Sequence, residues 1–295
     1  MTGHLIHIGY AKTGSTFLRR WFSLHPQIAY VESGIAGLRD ILQLAREGGD
    51  LADGSALRVT SCESLSYPHP YVGTPVATYD YSRWPPSNGA ESVCRTLAAL
   101  FPPARVLIVT RGFRSMILSS YSQYVRTGGY LDLSPFCEAL RQRVDRGDSV
   151  YDYDRLAALY RQAFGEDRVI VLPWELLRDD PAAFTGAIEK QTGLEPGPPP
   201  EGRMNVSISA RELIWYPRLT RSIRSLPLHG PFWRLYIRGT TTNRLRWGIA
   251  VLDRILPAGS LDERDLDSTV EMFRGKAESY RRDPFFAPYA REYLF

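Results

Sequence analysis

The sequence predicts an α/β fold of three layers, in which helices cover both faces of a central parallel sheet. Short apolar runs rich in β-branched residues alternate along the chain with segments whose apolar residues recur at helical spacing. The run from Val106 to Val109, within the predicted strand that ends at Thr110, is continuously apolar, which is typical of a strand buried on both faces of a parallel sheet. We therefore expect a ligand site at the carboxyl ends of the strands.

The predicted elements follow one another in regular alternation. Strands are expected at 4–8, 28–31, 56–61, 105–110 and 169–172. Helices are expected from Ser15 onward and at 35–45, 92–101, 115–126, 134–144, 153–164 and 181–192. The segment from Ser66 to Gly89 is rich in Tyr, Pro and Gly, and it predicts a long ordered loop over one end of the sheet.

A Pro- and Gly-rich stretch over 196–202 separates two regions. We expect an α/β core over residues 1–195 and a helical or loop region over 203–295 that packs on it as part of one domain; 295 residues with 44% hydrophobic content allow this. The second region interleaves arginine with aromatic residues. Such a pattern could line an acceptor site, touch an anionic surface such as a membrane, or form an ordinary lid.

The loop between the first strand and the first helix has the character of an anion site. Gly9 and Gly14 have the spacing of a Walker A loop, but Ser15 stands where that motif has its lysine, and Lys12 lies inside the loop instead. Backbone N–H groups of such a loop and the positive end of the following helix suit a phosphate. A plain glycine turn with a capped helix would leave Lys12 unexplained.

A second anion site is predicted after the strand that ends at Thr110. A nucleoside triphosphatase would carry a magnesium-binding carboxylate there, whereas this sequence has Arg111. A guanidinium at that position favours a phosphate and repels a metal ion. Ser119 follows eight positions later and could donate to the same oxygens. Two such loops predict a ligand with anions at two separated places, held without a metal.

Composition limits the remaining classes. A net charge of +4 is too small for a dedicated nucleic-acid binder, and the three cysteines have no metal-ligand spacing. No secretory signal or long uncharged apolar span is evident. We expect a cytoplasmic protein with reduced thiols and no transmembrane segment.

The segment Lys12-Thr13-Gly14-Ser15-Thr16 after a strand resembles the 5′-phosphosulfate loop of the PAPS-dependent sulfotransferases, with Ala11 where that family usually has proline. Arg111 with Ser119 is similar to the family's 3′-phosphate motif. The segment 171–177 followed by Asp180-Pro181 is similar to the family's strand-to-helix segment. The resemblance covers residues 4–194.

This resemblance implies a P-loop-like sulfotransferase of bacterial type that uses PAPS (3′-phosphoadenosine 5′-phosphosulfate) as co-substrate and releases PAP. It implies that the 5′-phosphosulfate is held by Lys12, Thr13, Gly14, Ser15 and Thr16. Arg111 and Ser119 would hold the 3′-phosphate. Lys12 would also neutralise charge on the bridging oxygen as the sulfuryl group leaves.

An acceptor hydroxyl needs a base. Glu63 and Glu32 both follow predicted strands beside the loop, and Glu63 ranks first because its context resembles the S-x-E-x-L-S of some bacterial members; His69 is a third candidate. Arg203 and Arg274 are late basic residues that could close over the nucleotide.

Two alternatives stay open from the sequence: a P-loop kinase-like phosphotransferase, and a non-catalytic nucleotide-binding protein. The acceptor, expected to be a small molecule, a lipid or a carbohydrate, is not specified by any residue, and neither is the oligomeric state.

Overall fold

A computed structural model describes residues 3–30, 56–62, 65–66, 89–200, 208–225, 229–256 and 259–295. Its sheet has five strands in the order β2-β3-β1-β4-β5, and every neighbouring pair is parallel. The strands are β1 (Gly3–His7), β2 (Ile28–Tyr30), β3 (Leu57–Ser61), β4 (Arg105–Thr110) and β5 (Val169–Pro173). The prediction of a parallel sheet with strands at these places is confirmed.

The chain changes direction across the sheet between β3 and β4, which lie on opposite sides of β1. The register aligns Ile6 of β1 with Val106 of β4, and His7 with Ser61 of β3. Loops that leave β1 and β4 therefore diverge at the carboxyl edge, where doubly wound folds bind their ligands.

Helices follow the strands as α1 (Ser15–Leu24), α2 (Gly89–Leu100), α3 (Phe113–Arg126), α4 (Leu133–Asp145), α5 (Tyr153–Phe164), α6 (Trp174–Asp179) and α7 (Pro181–Thr192). The second half adds α8 (Ala210–Arg224), α9 (His229–Thr241), α10 (Arg246–Ile255) and α11 (Arg264–Glu271). From 208 to 295 the described residues contain helices and turns and no strand, in agreement with the predicted helical region. The division of the chain into 1–195 and 203–295 stays a prediction.

The core has one part on each face of the sheet, because successive strand residues point to opposite faces. Leu107 and Val109 pack with residues of α1 and α7. Val106 and Ile108 pack with residues of α2, α3 and α5 on the other face. This gives the predicted three layers. None of the described helices is long and apolar enough to cross a membrane.

The predicted helix at 35–45 and nearly all of the predicted loop from Ser66 to Gly89 lie outside the described residues. Strand β5 runs one residue further than predicted, to Pro173, and α6 begins at once with Trp174. This places Trp174 and Glu175 at the carboxyl edge of the sheet, directly beside the turn that follows β4.

Candidate nucleotide site

The loop after β1 is held in a tight conformation. Lys12 and Gly14 both have left-handed backbones, with φ of 71° and 92°. The buried hydroxyl of Thr13 donates to the carbonyl of Tyr10 at 2.5 Å. The loop thus turns twice within three residues and delivers the chain to the start of α1.

Gly14 is required by both backbone and packing. A Cβ at this position would lie 2.4 Å from Cδ2 of Leu177 and 3.3 Å from Cδ1 of Trp174, both in α6. A positive φ is also unfavourable for any other residue. Only glycine lets the loop lie against the helix that follows β5.

The first turn of α1 is arranged to receive an anion. Gly14 is the N-cap residue, and having no side chain it makes no capping hydrogen bond to the amides of that turn. Within the described part of the chain, the buried Oγ of Ser15 has no hydrogen-bond partner. A buried hydroxyl without a partner costs free energy, and an oxyanion at the helix terminus would satisfy it together with the amides. The loop therefore fits an oxyanion.

Lys12 reaches from this loop toward α3. Its Nζ donates to Oε1 of Gln123 at 3.2 Å, and the side chain is half-buried. The ammonium thus lies between the loop and the helix that follows Arg111.

Arg111 joins the two predicted anion loops. Its Nη1 donates to the backbone carbonyl of Lys12 at 2.8 Å, and its Nε donates to Oγ of Ser115 at 2.9 Å. The guanidinium carbon lies 3.9 Å from the ring centre of Trp174, a cation–π contact. Burial lowers the pKa of Arg111, and the charge of Glu175 opposes that shift. The guanidinium is therefore fixed on three sides.

The backbone of the same turn is fixed by three further elements. The carbonyl of Arg111 accepts from Tyr153 Oη at 2.6 Å. The amide of Gly112 donates to Oε1 of Glu175 at 3.0 Å. The amide of Phe113 donates to the carbonyl of Glu292 at 2.9 Å. Hydrogen bonds from three elements thus hold the backbone of the turn that carries Arg111.

Ser119 is half-buried on α3, one helical turn after Ser115 and one before Gln123. Residues four apart lie on the same face of a helix. Ser119 therefore lies between the side chain that binds Arg111 and the side chain that binds Lys12. Its shared anion contact with Arg111 stays a prediction.

Five other residues are predicted for the site. Glu32, Glu63, His69 and Arg203 lie outside the described residues. Arg274 is exposed; it pairs with Glu271 and donates from Nη1 to the carbonyl of Leu294 at 3.2 Å. Its contact with nucleotide stays a prediction.

His7 lies beneath the loop, at the end of β1. Its Nδ1 is 2.8 Å from Oγ of Ser61, and a Cβ on Gly9 would lie only 2.6 Å from its Nε2. Burial, with a smaller contribution from the charge of Arg19, lowers the pKa of His7 to about 3. The imidazole is a neutral packing group.

Sequence reasoning missed three residues that shape the site: Trp174, Glu175 and Tyr293. The first two carry a usable signal, because they directly follow a buried strand that ends at the ligand edge of the sheet. Tyr293 carries none, since nothing in its local sequence indicates a contact with β4. Burial raises the pKa of Glu175, while the Gly112 amide, Tyr293 and Arg111 oppose the shift.

The sequence matches a family model described as "Sulfotransferase family" over residues 86–198, the segment that contains Arg111 and Ser119. No curated protein matches the chain. Among solved structures, a sulfotransferase from Alicyclobacillus acidocaldarius is similar over 75% of this chain and 94% of its own, with 17% identity and a TM-score of 0.49. Mouse sulfotransferase SULT7A1, in complex with PAP, is similar over 78% of this chain and 68% of its own, with 14% identity and a TM-score of 0.37.

Proposed function

We propose that this enzyme, a sulfotransferase-family protein by its match over residues 86–198, transfers the sulfuryl group of PAPS to a hydroxyl or amine of a small-molecule, lipid or carbohydrate acceptor. That match supports the sequence-based assignment to the sulfotransferases. One observation carries the proposal: Arg111 donates directly to the backbone of the loop that contains Lys12. Two anion sites joined in this way suit a nucleotide with both a 3′-phosphate and a 5′-phosphosulfate.

Different residues would bind the two anionic groups of PAPS. Ser15, Thr16 and the amides of the first turn of α1 would hold the 5′-phosphosulfate, because the helix terminus is uncapped and the hydroxyl of Ser15 is buried among the described residues without a partner. Arg111 and Ser119 would hold the 3′-phosphate. Lys12, at the mouth of the loop, would donate to the bridging oxygen.

Bound PAPS supplies a sulfuryl group on a good leaving group. The acceptor oxygen forms a bond to sulfur while the bond from sulfur to the 5′-phosphate oxygen breaks, and PAP leaves with the electron pair. Lys12 neutralises the charge that grows on that oxygen, and a base takes the acceptor's proton. Positioning and charge stabilisation do the remaining work, as in phosphoryl transfer.

The nucleotide that the protein prefers distinguishes a sulfotransferase from a kinase. We propose transfer without a metal ion, because the position after β4 that would carry a magnesium-binding carboxylate is occupied by Arg111. PAP should raise the melting temperature in the presence of EDTA, whereas ATP with magnesium should have a much smaller effect. A larger response to ATP with magnesium would favour the kinase.

The variant Lys12→Ala tests whether Lys12 stabilises the charge on the leaving oxygen. Loss of one charge at the leaving oxygen should lower turnover by about 100-fold or more, while PAP still binds. Lys190→Ala is the matched control, because Lys190 is exposed on α7. Sulfation at the wild-type rate by the Lys12 variant would overturn the assignment. If PAPS is not consumed with any acceptor tested, only a nucleotide-binding role would remain.

We propose Glu63 as the base, with Glu32 second and His69 third. Glu63→Gln and Glu32→Gln keep the size of each side chain and remove its basicity. The variant that lacks the base should lose turnover and retain PAP affinity. Full activity in both variants would move the role to His69, which His69→Gln then tests.

The surface of α9 and α10 supports contact with an anionic membrane, and hence a lipid acceptor. Between residues 229 and 256, which span α9 and α10, the sequence has five arginines, one aspartate and no glutamate. Four large apolar side chains are exposed in this segment: Leu235 (71%), Trp247 (79%), Ile255 (71%) and Leu256 (58%). Apolar side chains beside arginines are typical of helices that lie in the interface of anionic bilayers.

Vesicle co-sedimentation tests this surface. The protein should bind vesicles with anionic lipid and not neutral vesicles, and Trp247→Ser with Leu235→Ser should weaken binding. Leu24→Ser is the control, because Leu24 is 61% exposed on α1. Equal recovery with neutral and anionic vesicles, or an unaffected double variant, would exclude membrane contact here and leave a soluble acceptor.

We also propose a cytoplasmic location. Cys94 and Cys137 are buried thiols that form no disulfide, as is usual in a reducing compartment. Fractionation of cells that express the protein tests this, and recovery from an oxidising compartment would contradict it.

A further inference from the structure

Glu175 lies beneath the turn that carries Arg111. Its side chain is completely buried, and α6 holds it at the end of β5, the strand next to β4. Oε1 accepts from the amide of Gly112 at 3.0 Å and lies 3.5 Å from Oγ of Ser115. Ser115 in turn accepts from Nε of Arg111 at 2.9 Å. The carboxylate therefore supports both the backbone and the side chain of the arginine's turn.

Tyr293 holds the other oxygen of this carboxylate. Its hydroxyl donates to Oε2 of Glu175 at 3.0 Å and lies 3.0 Å from Oγ1 of Thr110. Tyr293 is 1% exposed, and its ring packs against those of Phe113 and Tyr153. The segment 292–295 thus closes the inner side of the Arg111 turn.

These contacts form one continuous chain of hydrogen bonds. It runs from Tyr293 through Glu175 and Ser115 to the guanidinium of Arg111, and from there to the carbonyl of Lys12. The Ser115 hydroxyl also lies 3.0 Å from the carbonyl of Gly112, so both of its acceptors belong to the support of the same turn. Buried hydrogen-bonded networks of this kind rigidify the groups at their ends.

Resting on the function proposed above, we infer that Glu175 and Tyr293 are positioning residues that determine selectivity for a 3′-phosphorylated nucleotide. Neither residue needs to touch the ligand. Glu175 fixes the direction of the Arg111 guanidinium, and Tyr293 fixes Glu175. Loss of either lets the guanidinium leave the position of the 3′-phosphate, while the loop at Lys12 through Thr16, which belongs to β1 and α1, keeps its affinity for the 5′ end.

The test measures selectivity as the dissociation constant of adenosine 5′-phosphate divided by that of PAP. The two ligands differ only in the 3′-phosphate that Arg111 would bind. Tyr293→Phe removes one hydroxyl and should reduce the ratio about five-fold, as for one hydrogen bond. Glu175→Gln keeps the size of the side chain, removes its charge and should reduce the ratio about ten-fold or more. In both variants, affinity for adenosine 5′-phosphate should stay close to that of the wild type.

Tyr160→Phe is the matched control. It removes a fully buried tyrosine hydroxyl that has no partner among the described residues and lies on α5. Its ratio should equal that of the wild type. Each variant is compared by its urea unfolding curve, and Glu175→Gln provides the test if Tyr293→Phe does not fold.

The experiment distinguishes failure of the proposed function from failure of the inference about Glu175 and Tyr293. Wild-type protein that binds adenosine 5′-phosphate as tightly as PAP would overturn the assignment of Arg111 to the 3′-phosphate, and this inference with it. A selective wild type with an unchanged ratio in the variants would overturn this inference alone. Equal losses for both nucleotides would also overturn it, because they would indicate support of the whole fold.

Discussion

The Nη1 of Arg111 lies 2.8 Å from the backbone carbonyl oxygen of Lys12, although 99 residues separate them in sequence. The contact joins the turn after β4 to the loop after β1. Because both loops are stiff, the distance between the two anion sites is set by the protein before a nucleotide binds. Such preorganisation reduces the entropic cost of binding.

Arg111→Lys should therefore weaken PAP binding although it keeps the charge. An ammonium cannot hold Ser115 and the Lys12 carbonyl while it also binds a phosphate. We expect the dissociation constant of PAP, measured by calorimetry, to rise about 10- to 100-fold. Arg114→Lys is the control, since Arg114 is exposed and pairs with Glu263 and Asp267. Equal effects from both substitutions would contradict the role of Arg111.

Ser15→Ala should separate stability from binding. The substitution removes a buried hydroxyl that lacks a partner in the described structure, so the free energy of unfolding without ligand should stay the same or rise by about 1 kcal/mol. The increase in melting temperature caused by PAP should shrink. Ser23→Ala, at the exposed end of the same helix, should change neither quantity. A destabilised protein with an unchanged response to PAP would show that Ser15 serves the fold.

Gly14→Ala should destabilise the protein more than Gly147→Ala. Both residues have a positive φ, 92° and 85°, so each substitution incurs the left-handed penalty of about 1–2 kcal/mol. A Cβ at Gly14 also meets Leu177, whereas one at Gly147 meets no atom within 4 Å. Overpacking should add about 1–3 kcal/mol at Gly14. Urea unfolding measures both losses, and equal values would refute the packing argument.

His7 should make stability depend on pH. Its folded pKa of about 3 lies below the ordinary value of 6.5, so the imidazole takes up a proton only when the chain unfolds. Its contribution is therefore complete above about pH 6.5 and is lost as the pH falls toward 3. Between pH 6.5 and 5 the loss should be about 2 kcal/mol.

His7→Asn tests this dependence, because the amide can bond Ser61 and does not titrate. The unfolding free energy of this variant should fall less between pH 6.5 and 5 than that of the wild type. Ser61→Ala keeps the histidine and should retain the wild-type slope. Identical slopes in all three proteins would show that His7 is not the group responsible.

The strands were predictable because each is a short apolar run with a clear end, and the edge at which the loops meet follows from the parallel arrangement. From the sequence alone, that rule predicts that Lys12 and Arg111 lie at one edge of the sheet. It could not show that the guanidinium of Arg111 bonds the carbonyl of Lys12. Side-chain direction depends on Trp174 and Ser115, which pack around the arginine.

The bond between Glu175 and Tyr293 was not predictable in the same way. It joins residues 118 positions apart, and neither has a periodic pattern or a motif that indicates the other. Such contacts come from tertiary packing alone. The choice among Glu63, Glu32 and His69 stays a prediction, as do the contacts of Arg203 and Arg274.

The hydroxyl pair of Thr110 and Tyr293 joins residues 183 positions apart. Closing so long a loop is entropically costly, and contacts of this kind tend to form late in folding. The turn that carries Arg111 should therefore reach its native structure after the loop between β1 and α1. In a refolding experiment, we expect PAP binding to appear only with the slowest phase, so that the nucleotide acts as a sensor of completed folding.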